Sequence, residues 1–317
     1  MQHYVPADWA VLVLELVPAL TFGLAGERAA RAAEHWPRWL RILLPVVCAL
    51  PYVYISIMHQ VFLWRWLALY ASLPVVVAWL LARAAAADPE QRGNWRDAII
   101  LLALGVPVDL RWFESAWPNG LAGLGKLLLV DAGLYGFVVI RRLRGTGFDF
   151  HFRWRDWKTG LRELAFFAPI VIGLGLALGF LQPHVNTPRP SMVLTWAYIF
   201  VFVAVPEELF FRAWVQNLLE KRFCSWSAFR PTTSSPGTSQ PDPTTASRAA
   251  RITALVITSV LFGLSHFNKR SPTFNWRYVL LATIAGIFYG RAWRQDRRVP
   301  ASAITHASVD TIWTLWF

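Results

Sequence analysis

Residues 192–219 read MVLTWAYIFVFVAVPEELFFRAWVQNLL. The run exceeds the ~20 mostly apolar residues that carry a helix across a bilayer, and its only charged side chains are Glu207, Glu208 and Arg212. A surface helix of a soluble protein would need a polar face along its length, and Trp196–Val205 supplies none. The stretch reads as a membrane span. Nine further apolar runs read the same way: Trp9–Leu24, Ile42–Met58, Trp64–Leu81, Ala98–Trp112, Leu121–Ile140, Leu164–Leu181, Ile252–Phe267, Tyr278–Trp293 and Ala301–Phe317. Two of the ten are the weakest, because Ala98–Trp112 is short and Trp9–Leu24 contains Glu15 and Pro18. The expected fold is an all-α polytopic transmembrane helical bundle of 8–10 spans.

Composition agrees with that expectation. The 317-residue chain is 56% hydrophobic and 16% charged, with a mean hydropathy of +0.39, whereas soluble domains carry ~25% charged residues. Only Cys48 and Cys224 are present, which excludes a disulfide scaffold, an iron–sulfur ferredoxin and a Cys-based zinc finger. The formal charge of +12 would suit a nucleic-acid partner, but the distribution of the basic residues argues otherwise. Most of them fall in alternate connections: Arg28–Arg41, Arg83–Arg96, Arg141–Arg162, Lys221–Arg251 and Arg291–Arg298. The positive-inside rule puts these five connections in the cytoplasm and both termini outside. The charge is therefore topological, no nucleic-acid partner is expected, and the bilayer of the inner cell membrane is the expected environment. Trp9, Trp36, Trp64, Trp95, Trp112 and Trp293 at span ends form the interfacial belt. The N-terminus lacks a basic leader and a small-residue cleavage site, so the first span is expected to be retained.

The chain is expected to comprise residues 1–160, an N-terminal transmembrane region without a usable motif, and residues 161–317, which hold the polar anomalies. Within the latter, residues 227–250 include RPTTSSPGTSQPDPTTASRAA, a composition that buries nothing and predicts a flexible cytoplasmic loop. No GxGxxG fingerprint, Walker A loop, HExxH or GxSxG elbow occurs.

Charge inside a span is costly and marks function. Helical spacing puts Glu208 and Arg212 on one face, where they can pair, while Glu207 lies about 100° round. Two carboxylates against one guanidinium leave one surplus, the kind of group that serves as a general base. Two more in-span anomalies follow: His266, one turn after Phe262, and His306, one turn before Asp310. The other five His residues lie in tails or connections.

EExxxR at Glu207-Glu208-Leu209-Phe210-Phe211-Arg212, FxxxH at Phe262…His266 and HxxxD at His306…Asp310, in that order, resemble the CAAX protease and bacteriocin-processing (CPBP, or Abi) family of glutamic-type intramembrane proteases. The resemblance runs from about Leu164 to the C-terminus. It implies a hydrolase, an intramembrane endopeptidase that cuts a membrane-associated protein or peptide. Glu207, helped by His266, would take a proton from the attacking water. His306, with Asp310, would steady the oxyanion, and Glu208 with Arg212 would fix Glu207. The family commonly has Asn where this chain has Asp310; an amide donates hydrogen bonds, whereas a carboxylate only accepts them. Better-known members cut prenylated CAAX tails, and no sequence feature here shows a pocket for such a lipid.

Two alternatives use the same residues. Glu207, His266 and His306 could hold Zn²⁺ as two imidazoles and a carboxylate, leaving a position open for water; the resemblance favours a cofactor-free reaction instead. A transporter or scaffold could use the intramembrane Glu, His and Asp residues as a proton or ion relay, fed by Asp109, Lys126 and Asp131. The spans as drawn also set a condition of depth. His266 falls near the outer end of Ile252–Phe267, so that helix must run past Asn268, or the helices must be tilted or unequal, for the three catalytic candidates to meet.

Overall fold

The computed structural model describes residues 6–184, 192–226, 228, 248–269 and 273–317. Among them there is no strand, and ten helical segments appear: α1 (Pro6–Glu34), α2 (Arg38–Met58), α3 (Trp64–Ala87), α4 (Trp95–Asp109), α5 (Gly123–Ile140), α6 (Trp154–Ala177), α7 (Met192–Cys224), α8 (Arg248–Leu264), α9 (Trp276–Asp296) and α10 (Val299–Trp316). Each corresponds to one of the ten apolar runs. The loop expected at residues 227–250 falls almost wholly outside the described residues.

Six of the ten, α1, α2, α3, α5, α6 and α7, are long and apolar enough to cross a membrane by themselves. The weak first run is among them, with Glu15 turned into the protein and only 3% exposed. By contrast α4 has 15 residues and α8 has 17 described ones, while α9 and α10 are rich in polar side chains. In α10 the reason is visible: Ser302, Thr305 and His306 are all buried among protein atoms, so they lower the hydropathy of the helix without meeting lipid.

The helices pack as two compact units, Met1–Arg144 with α1–α5 and Gly145–Phe317 with α6–α10. In the first, Arg141 is buried between two carboxylates, Asp97 (Nε to Oδ1, 2.9 Å) and Asp88 (Nη2 to Oδ2, 2.6 Å). Asn94 caps α4, and its own backbone N–H donates to the Asp97 carboxylate at 2.9 Å. Tyr52, Tyr70 and Trp117 form an aromatic cluster in which the Trp117 indole donates to the Tyr70 hydroxyl at 2.8 Å.

The second unit is built for close helix approach, the main route to association where lipid removes the hydrophobic drive. A Cβ on Gly263 of α8 would lie 2.6 Å from the Val279 carbonyl oxygen of α9, and one on Gly286 would lie 3.0 Å from the Ser259 Cα. Phe167, Phe211, Phe262, Phe288 and Tyr289 fill the space between α6, α7, α8 and α9. The entry to α10 is pinned by Arg298, which donates to both oxygens of Asp156 (2.6 and 2.9 Å) and to Asp149 (2.7 Å). Gly147, at φ +69°, receives the Val299 N–H on its carbonyl at 2.9 Å; any Cβ there would run into the Arg297 backbone. Pro300 starts α10 where a missing N–H costs nothing.

The stretch 192–219 is not a regular α-helix. Phe200–Ala204 and Leu209–Gln216 are π-helical, separated by one α-turn, Val205–Glu208. Pro206 has no N–H to give to the preceding turn, and the register widens around it. Such widened turns are frequent at functional positions.

Candidate functional site

Glu207 and Glu208 sit in the α-turn between the two widened segments, and their environments differ. Glu208 is fully buried; Glu207 is 13% exposed. Helical phase accounts for this, since adjacent residues point about 100° apart. Glu208 faces the protein interior and gathers three partners. Arg212 Nε donates to its Oε2 at 2.9 Å, His306 Nδ1 donates to its Oε1 at 2.8 Å, and the Ser302 hydroxyl contacts Oε2. Ser302 also donates to the Tyr289 carbonyl at 2.9 Å.

Arg212 is itself wholly buried, with its Cζ 5.3 Å from the centre of the Phe262 ring, in cation–π range. Its polar face continues along α7: Gln216 Nε2 donates to Glu220 Oε1 at 3.3 Å, and Glu220 holds Arg297 and Arg294 at the helix end. Gly290 of α9 makes room for this stripe. A Cβ there would lie 2.7 Å from Gln216 Oε1 and press on Leu255.

His306 is the hub. Its ring stacks on Tyr289 (centroids 4.5 Å apart, planes 14°) and meets the edge of Phe262 at 5.7 Å. One nitrogen is committed to Glu208. The other, Nε2, is approached loosely, by Asp310 Oδ2 at 3.5 Å and Glu207 Oε2 at 3.9 Å. Three carboxylates thus surround one imidazole and one guanidinium. Even with His306 doubly protonated, the group carries one negative charge more than its cations balance.

His266 is not on a helix. The expectation that its helix runs past Asn268 is not met: α8 stops at Leu264 and His266 lies in the turn that follows. The turn solves the problem of depth instead. His266 Nδ1 donates to the Phe262 carbonyl at 2.8 Å, one of the carbonyls a helix end leaves open. That bond puts the proton on Nδ1 and leaves Nε2 as an acceptor. The Asn275 N–H closes the turn on the Phe267 carbonyl at 2.9 Å.

His266, His306 and Asp310 all border one cavity of about 90 Å³. Its remaining wall is overwhelmingly apolar, with Phe167, Val171, Phe180, Tyr278, Ile312 and Trp313 among the contributors. Glu207 faces His306 at 3.9 Å. The six candidate side chains therefore belong to one locality, with His266, His306 and Asp310 in the wall of the apolar cavity and Glu207, Glu208 and Arg212 gathered about His306.

Ser302 and Tyr289 are the members the motifs did not mark. Ser302 was within reach of sequence reasoning, since it lies one turn before His306 on the same face. Tyr289 was not, because nothing local singles out one aromatic ring of α9. A three-ligand metal set does not form: no group of three or more His, Cys, Asp or Glu among the described residues is placed to hold an ion. His306 and His266 each have one ring nitrogen engaged, on Glu208 and on the Phe262 carbonyl, which orients both rings and is equally usual for catalytic and metal-bound imidazoles.

Residues 189–312 match the family model described as type II CAAX prenyl endopeptidase Rce1-like. Comparisons with curated proteins and with solved structures give no match. The matched segment covers less than half of the chain but contains all three motifs, from Glu207 to Asp310. Over that segment this all-helical protein, six of whose helices are long and apolar enough to cross a membrane, is similar to the Rce1-like type II CAAX prenyl endopeptidases.

Proposed function

We propose that the protein is a glutamic-type endopeptidase of the inner cell membrane, in which Glu207 is the general base for hydrolysis of one peptide bond in a membrane-associated protein. The observation that carries this reading is the unequal use of His306: Nδ1 is held at 2.8 Å by Glu208, while Nε2 faces Glu207 and Asp310 across 3.5–3.9 Å. A firmly oriented ring with one loosely engaged N–H is what an oxyanion requires, and each such donor is worth ~3 kcal/mol in the transition state.

In the proposed reaction a water lies between Glu207 and His266 Nε2, and its oxygen attacks the scissile carbonyl carbon. Its proton passes to Glu207, and the carbonyl oxygen, now negative, takes the N–H of His306 Nε2. Collapse of the tetrahedral species breaks the C–N bond, and Glu207 returns the proton to the leaving amine. No acyl-enzyme forms and no cofactor takes part. Glu208, Arg212 and Ser302 hold His306 rather than touch substrate. Asp310 accepts from His306 and sets its tilt.

The apolar groove suits a substrate with a hydrophobic or lipidated segment beside the cut site. The family description, a CAAX prenyl endopeptidase, makes a prenylated C-terminal peptide the first probe. The protein in lipid nanodiscs is given farnesylated CAAX-type peptides and, separately, unlipidated peptides with an apolar tail, and products are identified by mass. Cleavage of at least one class is expected from wild type and none from Glu207→Gln of unchanged thermal stability. A Glu207→Gln protein that still cleaves removes the base assignment.

A further inference from the structure

At the end of α9 away from the groove, four arginines and a glutamine line a cavity of about 290 Å³: Arg251, Arg291, Arg294, Gln295 and Arg297. The local carboxylates are too few to balance them. Glu163 is shared between Arg162 (2.9 Å) and Arg291 (3.1 Å), and Glu220 is shared between Arg294 (3.6 Å) and Arg297. Two carboxylates thus serve four guanidiniums, and Arg251 also lines the cavity. Arg291 and Arg294 approach these carboxylates through Nε, and both side chains keep solvent contact, 46% and 23% exposed.

Like charges this close repel, and a fold that gathers them gains by binding an anion that several can fork onto. The positive-inside rule places this end of α9 at the cytoplasmic headgroup level. We propose that this arginine cavity binds a phosphate group, that of an anionic phospholipid headgroup of the inner leaflet. Forked guanidinium donors match the planar pairs of phosphate oxygens, and the negative leaflet concentrates the ligand at this depth.

The test uses the full chain in detergent and in nanodiscs. Native mass spectrometry reads retention of phosphatidylglycerol against phosphatidylcholine, and thermal unfolding is followed during titration with inorganic phosphate against chloride at equal ionic strength. Selective retention of phosphatidylglycerol is expected, weakened roughly tenfold or more for each arginine removed in Arg251→Gln/Arg294→Gln. Stabilisation by inorganic phosphate that the double variant loses, without lipid selectivity, keeps the phosphate site but makes its source soluble, which overturns the lipid assignment. Equal retention by wild type and double variant overturns the site. Should the double variant not fold, Arg294→Lys keeps charge beside Glu220 while losing the fork. An intermediate loss is then expected, and none at all overturns the proposal.

Discussion

Removal of Arg212 tests the internal logic of the site most directly, because it separates holding from catalysing. Arg212→Ala strands Glu208, a fully buried carboxylate, and also removes the guanidinium over Phe262. Deleting one partner of a buried pair costs ~3–5 kcal/mol. Glu208 keeps His306 and Ser302, which argues for ~3 kcal/mol at that contact, and the lost ring interaction adds ~1 kcal/mol. At ~2–4 °C per kcal/mol for a unit of this size, the unfolding midpoint should fall by roughly 8–16 °C. Thermal unfolding in detergent, run beside Glu208→Gln and the double variant Arg212→Ala/Glu208→Gln, checks the sum. The double variant should recover part of the loss, since no charge is left stranded, giving a coupling of ~1–3 kcal/mol. Arg212→Lys should restore charge without the forked geometry and fall between the two. If Arg212→Ala melts with wild type, or if the double variant is simply additive, the pairing account of Glu208 is wrong.

Gly263→Ala should lower yield and stability by ~1–3 kcal/mol, because its Cβ would lie 2.6 Å from the Val279 carbonyl oxygen and against Thr283; expression and unfolding midpoint read this. Asp310→Asn should retain cleavage within roughly tenfold, since an amide can still orient His306 and can also donate to the oxyanion; abolished cleavage would show that the carboxylate charge itself is needed. Chelation should leave the peptidase rate unchanged, and loss of activity that zinc restores would return the metal reading. Outside the membrane, burial works against ionisation of Asp149, but hydrogen bonds from Arg298 and His151 outweigh it and hold the carboxyl at about 2 against an ordinary 3.8. A depressed folded value means stability that is fully present above pH 3.8 and lost as pH falls through 2. Asp149→Asn should therefore show a shallower loss of stability between those limits, read from unfolding midpoints across acid buffers.

What the sequence determined by itself was everything that depends on local periodicity. Ten apolar runs became ten helices, because whether a stretch can bury its backbone in lipid is a property of that stretch alone. EExxxR, FxxxH and HxxxD announced themselves because charge in an apolar run is conspicuous, and the i, i+4 spacing was enough to pair Glu208 with Arg212. Tertiary structure decided which of two adjacent glutamates is locked by Arg212, His306 and Ser302 and which stands 3.9 Å from the other nitrogen of His306, since phase relative to neighbouring helices is invisible in one strand of text. It decided that α8 ends before His266 and lets a turn carry the histidine inward, a matter of where the Asn275 and Phe262 backbone groups find partners. It alone brought Tyr289 under His306, and closed an apolar groove from α6, α8, α9 and α10 around the polar end of the site. The arginine cavity is of the same kind: its members read singly as positive-inside charges, and only packing set four of them around one cavity, because contact between helices is fixed by shape at the interface and not by the spacing within either one.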